Sequence, residues 1–347
     1  RRSAKARPMA KAGAASAAVH VLLWFRKGLR LHDNPALAEA LSHQPARLFP
    51  VFCLDPWFVS SGRVGAVRLR FLAEALQDLD AQLRARGSRL VVLRGEPEEQ
   101  LLRAISAWGI THLVHEREQV EPYGRERDAR VRAKAEAAGC AVADPVGHTL
   151  VDLEDLLRES KGQPVTNYGP FCAMFDKVVR RHPLTEAPEA PHRMPSAELP
   201  AGGKGPAPEV GEVPTVAELA PSLAEAPPGP FPGGETAGLA RLASSLAREQ
   251  GKWACAFEKP KTDPTAVDPA GEGTRATTAL SAYLKFGCVS PRRFWLRLRE
   301  ATARAGGQRS RPPTSLDGQL LWREFYSACA HAVGPTYGQM EGNPICR

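Results

Sequence analysis

Four side chains in the stretch 318–326, Gly-Gln-Leu-Leu-Trp-Arg-Glu-Phe-Tyr, are spaced to act together. Gln319, Trp322, Arg323 and Tyr326 fall at i, i+3, i+4 and i+7, so a helix presents them on one face. An amide, an indole, a guanidinium and a phenol make a poor dry core, because each buried donor left unpaired costs about 1–3 kcal/mol. A planar partner with polar edges, such as a flavin or a nucleic-acid base, would offset that cost. The same spacing also fits a plain amphipathic helix that turns Leu321 and Phe325 to the core.

A second stretch, Thr274–Ser281 (Thr-Arg-Ala-Thr-Thr-Ala-Leu-Ser), places hydroxyls where a helix over 282–286 begins. Hydroxyls beside free N–H groups at a helix start suit a phosphate or pyrophosphate. Ordinary N-capping by Thr277, Thr278 or Ser281 accounts for them equally well. A third stretch sets Lys259 and Lys261 beside Trp253 and Phe257, a basic, aromatic rim for a nucleic-acid backbone or simply solvated lysines. His32, His112, His115, His148 and His331 show no ligand spacing, so no metal site is expected. No G-x-S-x-G, G-x-x-x-x-G-K-[ST] or G-x-G-x-x-G following a strand occurs, which argues against a hydrolase, a P-loop and a dinucleotide-binding Rossmann fingerprint.

The elements that must position these residues alternate in the first half of the chain. Apolar runs at 19–25, 47–54, 89–94, 112–115 and 140–143 read as buried strands. Helical patterns at 34–41, 65–86, 96–108 and 122–138 lie between them. Five such strands specify a doubly wound parallel α/β sheet, whose ligands bind at the strands' carboxyl ends. The charged loop 26–34 sits at such an end. An apolar stripe at helical spacing occupies 163–181, and 13 of the 31 prolines then fall between Pro183 and Pro232, as in an extended connector. Helical patterns resume at 235–250, 278–287, 291–303 and 315–333, with no strand pattern among them. The expected organisation is a basic tail (1–18), an α/β domain (19–160), a helix and proline-rich linker (161–234) and an all-α region (235–347).

No apolar run approaches the length of a membrane span, so no membrane partner is expected. Seven scattered cysteines without a C-x-x-C pair argue for a reducing compartment. The net charge is +8, but the acid-free tail carries five of those charges and leaves +3. Nucleic-acid affinity therefore has to come from a local patch. The tail suits organelle import, nuclear import, or a translated leader upstream of Met9.

Six blocks resemble the animal-type cryptochrome and (6-4) photolyase family: Trp24–Leu37, Asp55–Phe58, Pro232–Glu235, Leu280–Cys288, Gly318–Tyr326 and Met340–Cys346. They stand in family order at family-like spacing. The resemblance implies an antenna-type α/β domain, which in some members holds a deazaflavin or pterin, followed by a helical FAD-binding domain. It implies that Thr277, Thr278, Leu280 and Ser281 wrap the FAD phosphates and that Gln319, Trp322 and Arg323 line the flavin pocket. In repair members the position of Gln319 also meets the lesion, and Lys259, Lys261 and Gln319 form the expected DNA-binding set. The implied partners are UV-damaged DNA or, for a photoreceptor, a signalling protein, with the nucleus as the expected location. The sequence departs from the family at Ala282, where Pro is usual, and at Thr265–Gly273. The resemblance further implies an incomplete helical domain: segments closing on the isoalloxazine and the histidines used in repair would lie beyond Arg347, so an inactive fragment is a third expectation.

Overall fold

Strand β1 (His20–Phe25) is the centre of the molecule, pairing in parallel with β2 (Arg47–Leu54) on one side and β4 (His112–His115) on the other. β3 (Val91–Arg94) and β5 (Ala141–Ala143) extend the parallel ladder outward. A sixth strand, β6 (Val210–Gly211), adds antiparallel to β3, giving the order β5-β4-β1-β2-β3-β6. The computed structural model describes residues 18–60, 62–200, 205–259 and 277–343.

The sheet is covered on both faces, which is why its strands are apolar without alternation. Val21, Leu23 and Phe25 face a core shared with α1 (Pro35–Ser42) and α3 (Ala66–Arg84), whereas Leu22 and Trp24 pack with α4 (Pro97–Trp108), next to α5 (Pro122–Ala137). Asn34 caps α1 by accepting from Leu37 N, and Pro35 opens the helix. A short helix, α2 (Pro56–Val59), follows β2 and is capped by Asp55.

The first of these cores does not stop at the sheet. It continues through α6 (Leu153–Glu159), α7 (Tyr168–Arg181), α9 (Glu235–Ala247) and α10 (Lys252–Ala256), then α11 (Ser281–Phe286), α12 (Pro291–Ala305) and α13 (Leu316–Val333). Phe171, Phe175, Tyr283, Phe294 and Phe325 are buried in this one cluster. The proline-rich segment also departs from the extended connector expected of it. Beyond β6 it forms a further short helix, α8 (Val216–Leu219), and Met194, Ala197 and Ala220 are buried. The helix expected over 235–250 ends at Ala247, where Glu249 and Gln250 turn to positive φ.

Most of the charged loop after β1 forms a clamp, in which Arg30, His32 and Asp33 are buried. The Arg30 side chain is fully buried and donates to the carbonyls of Asp33 (2.9 Å), Gly147 (3.0 Å) and Gly287 (3.0 Å) and to Glu116 (3.2 Å). Glu235 accepts from Leu31 N (2.7 Å), His32 N (3.0 Å) and His32 Nδ1 (2.5 Å), while Ser290 N donates to His32 Nε2 (3.2 Å). Arg292 pairs with buried Asp33 at 3.1 Å. Gly28 (φ +71°) and Gly287 (φ +69°) meet in this clamp, and a Cβ on Gly287 would lie 2.2 Å from Gly28 N.

Candidate functional site

α13 is held at its start by Ser315, whose hydroxyl accepts from Gly318 N (3.3 Å), and it buries Leu320, Leu321 and Phe325. Its opposite side presents Gln319, Arg323, Tyr326 and Ser327 to a cavity of about 980 Å³. This lies at the upper end of the ~300–1,000 Å³ range of small-molecule sites. The segment 277–281 and Lys285 form the facing wall, Lys259 lies on the rim, and Lys27, Glu121 and His148 reach in from the α/β domain.

Of the residues expected at the site, Thr277, Thr278, Leu280, Ser281, Gln319, Arg323 and Lys259 all line this cavity. Trp322 is not among its lining residues. Its indole stacks on Tyr168 (centroids 4.1 Å apart, 21° between planes) at the junction of α13 with α7. The helix pitch explains this: at 3.6 residues per turn, Trp322 points about 100° away from Arg323, which lies mid-arc among the cavity-lining residues of α13. Lys261 falls outside the described residues, as do Thr274 and the unusual stretch 265–273.

The cavity is electropositive. Among the described residues, four cations, Lys27, Lys259, Lys285 and Arg323, line it against one carboxylate, Glu121. Lys27 holds the Glu121 carboxyl below the usual carboxylate range, with Lys285 (2.6 Å) reinforcing it against burial. Arg323 donates to Glu324 Oε1 (2.7 Å) and to the His148 carbonyl (2.7 Å). Glu324 is fully buried and also accepts from Leu150 N (2.8 Å); burial still raises its pKa, against the opposing pull of Arg323. Burial, with Arg323, Lys27, Arg30 and Lys285 nearby, pushes the His148 imidazole well below its ordinary pKa, so a neutral ring meets the cavity. Its Nδ1 is buried and without a hydrogen-bond partner.

The hydroxyl segment is not spent on capping: α11 starts with no side-chain cap. Between Thr278 and Leu280, Ala279 adopts φ +50°, a left-handed conformation that costs a non-glycine residue about 1–2 kcal/mol. Strain of this kind persists where the surroundings impose it and clusters at ligand sites. Volume, positive lining, uncapped hydroxyl segment and strained loop together suit an anionic ligand of nucleotide size. His148 carried no sequence signal; Lys27, Ala279 and Lys285 lie in stretches the sequence singled out, but only the packing of the two regions brings them to one cavity.

A second, smaller cavity of about 160 Å³ lies in the α/β domain, where the strands' carboxyl ends and the β1/β4 switch of strand order place ligands. Trp24 and Phe25 from β1, Phe52 and Cys53 from β2, and Trp57 and Tyr123 line it. Trp57 and Tyr123 are stacked face to face (3.9 Å, 5°), and the Tyr123 hydroxyl donates to Asp55 at 2.7 Å. Among the described residues, no group of three or more His, Cys, Asp or Glu side chains is placed to hold a metal, and no helix is long and apolar enough to cross a membrane.

A family model described as DNA photolyase matches residues 21–192. Over 330 residues the chain is 39% identical to a cryptochrome-1 of Sylvia borin, covering 94% of this chain and 50% of that protein. It is also 39% identical to a (6-4)DNA photolyase of Oryza sativa subsp. japonica over 354 residues, covering 97% of this chain and 60% of that protein. The chain thus spans about half the length of the curated relatives it matches. The solved structure of a Synechocystis cryptochrome superposes with a TM-score of 0.72 at 23% identity, covering 96% of this chain and 66% of that one; the likeness establishes the fold alone.

Proposed function

The chain belongs to the photolyase/cryptochrome family, and on that premise we propose that its large cavity takes FAD and that the whole protein performs light-driven repair of (6-4) photoproducts in DNA. One observation carries the cofactor assignment: the uncapped hydroxyl segment 277–281 and Arg323 face one another across a positively lined space of about 980 Å³. FAD, when bound, supplies light absorption and single-electron transfer.

The residues of the chain then have distinct tasks. Thr277, Thr278 and Ser281 supply hydroxyls to the phosphates, and Lys27, Lys259 and Lys285 offset their charge. Arg323 is fixed by Glu324 and by the His148 carbonyl, so its donors are aimed before any ligand arrives. Gln319, whose Nε2 donates to Pro313 O (3.0 Å), stands at the mouth, where a base flipped from the duplex would be read. Lys259 and Lys261 would contact the nucleic-acid backbone beside it.

A photoreceptor that signals through a protein partner is the second reading, favoured by the equal 39% identity to a cryptochrome-1. Cofactor binding is tested by mixing the purified chain with FAD and following retention of the blue absorbance band through gel filtration, with FMN as the comparison. Loss of FAD on the column sinks the assignment. Repair is tested with the full-length protein and a (6-4)-damaged oligonucleotide under blue light. Repair that survives Gln319→Ala unchanged removes Gln319 from lesion recognition, and absence of repair in the parent leaves the photoreceptor reading.

A further inference from the structure

The smaller cavity is bounded by a column in which arginines and aromatic rings alternate. Arg63 lies over Trp57 (5.0 Å), Trp57 stacks on Tyr123 (3.9 Å), and Arg127 sits over Tyr123 (5.5 Å) and over Trp24 (4.8 Å), where Arg26 also packs (4.7 Å). A guanidinium over an aromatic face is attractive, so each member of the column is held by the next. We propose that the Trp57–Tyr123 stack is a built-in plug occupying the place of a planar second chromophore, so that the α/β domain binds neither a deazaflavin nor a pterin.

Space, stacking and charge support the plug independently. The remaining volume of about 160 Å³ is well below the ~300 Å³ at which ligand sites begin. The two rings are already parallel (5°) and in contact, so an inserted heterocycle would have to double their separation and break the Tyr123–Asp55 hydrogen bond. The cations that would hold an anionic chromophore are committed elsewhere. Arg26 pairs with Asp128, and Arg127 pairs with the same carboxylate at 3.0 Å. Phe286, from the helical region, lines the same space and packs on Phe71 (4.9 Å), closing the route between the two regions. This inference does not depend on whether the larger cavity takes FAD.

The test uses the full chain and two probes, 8-hydroxy-5-deazaflavin riboside and methenyltetrahydrofolate. Binding is followed by probe fluorescence, with FAD present throughout so that the larger cavity is not counted. Wild type is expected to retain neither probe. Trp57→Ala removes a ring that is 36% exposed and is expected to bind the deazaflavin at least tenfold more tightly than wild type. Tyr123→Leu opens the same slot from the other side and is the second variant, with circular dichroism showing that each is folded. Wild-type binding equal to that of the variants overturns the plug, as does failure of both folded variants to bind. Wild-type binding that is lost in Trp57→Ala also overturns it, because the stack would then be a clamp.

Discussion

The Arg323 guanidinium donates to the backbone carbonyl of His148 at 2.7 Å, joining positions 175 residues apart in the chain. A carbonyl of the α/β domain thereby fixes the one guanidinium of α13 that faces the cavity. A second branch of Arg323 goes to Glu324, so its neutralising partner lies in the core and not in the cavity. The positive field is left for a ligand.

Removing that guanidinium strands a buried carboxylate. Arg323→Met is expected to cost about 3–5 kcal/mol, the usual penalty for breaking one side of a buried pair. The double variant Arg323→Met/Glu324→Gln should recover part of it. The pKa of Glu324 is raised in the fold, so its carboxyl favours the folded state at low pH and that support is lost as pH rises through the folded value. The Arg323→Met deficit should therefore be larger at neutral pH than in mild acid. Urea unfolding of the three proteins at both pH values measures this, and a deficit independent of pH and of residue 324 would refute it.

Glu235 runs in the opposite sense. Burial works to raise its pKa, but the bonds from His32 and the Leu31 and His32 amides outweigh it and leave the value below 4.5. A depressed carboxyl contributes stability above its unfolded pKa and loses it as pH falls through the folded one. Glu235→Gln is expected to cost about 2–4 kcal/mol at neutral pH, as a charged acceptor is lost from several buried donors. It should also flatten the acid limb of the stability curve below about pH 4.5, where Asp33 and Glu118 (pKa about 2) continue to titrate. Urea midpoints of wild type and variant across the acid range decide it: parallel curves would mean that Glu235 does not titrate in the clamp.

The sheet was legible because β1 and β2 are buried on both faces, and only a run such as Val-Leu-Leu-Trp-Phe satisfies that. β6 was not, since two residues paired to a sheet edge leave no period in a proline-rich stretch. On α13 the polar-aromatic face was readable, but its orientation was not. Gln319 and Arg323 turn to the cavity, while Trp322 turns to Tyr168, a partner on a helix that the local pattern cannot register. The loop 26–34 was legible in part: Lys27 does reach a cavity, whereas Arg30 and Asp33 find partners more than 250 residues away. Long-range complementarity of that kind is invisible in one sequence.

Gly287 and Gly28 meet backbone to backbone between the two regions. Gly287→Ala would add a Cβ 2.2 Å from Gly28 N and 2.5 Å from Gly28 Cα, backbone atoms that cannot swing aside. Gly109 shares the left-handed conformation of Gly287 (φ +62°, ψ +44°) and its virtual Cβ meets nothing nearer than His20 Nδ1 at 4.0 Å, which makes Gly109→Ala a control for backbone strain alone. The control should lose about 1 kcal/mol. Gly287→Ala should lose at least about 3 kcal/mol, as overpacked sites do at their upper end, or fail to accumulate as soluble protein. Thermal unfolding of the pair measures the difference, and equal losses would mean that the clamp tolerates a displaced α11.

Ala279 offers the reverse exchange, stability gained for binding lost. At φ +50° its Cβ is strained, and Ala279→Gly relieves that strain. Glycine also gains freedom in the unfolded chain, worth about 0.5–1 kcal/mol against the fold, so the net stabilisation should be no more than about 1 kcal/mol. The same freedom loosens the 277–281 segment in the folded protein, and ordering it on FAD must then be paid at binding. Ala279→Gly should accordingly weaken FAD retention by about three- to tenfold while leaving the urea midpoint unchanged or raised. Fluorescence titration of FAD alongside the urea curve tests both halves. A variant that is less stable yet binds FAD as tightly as its parent would show that the Ala279 methyl is a packing group and that its strain has no part in holding the ligand.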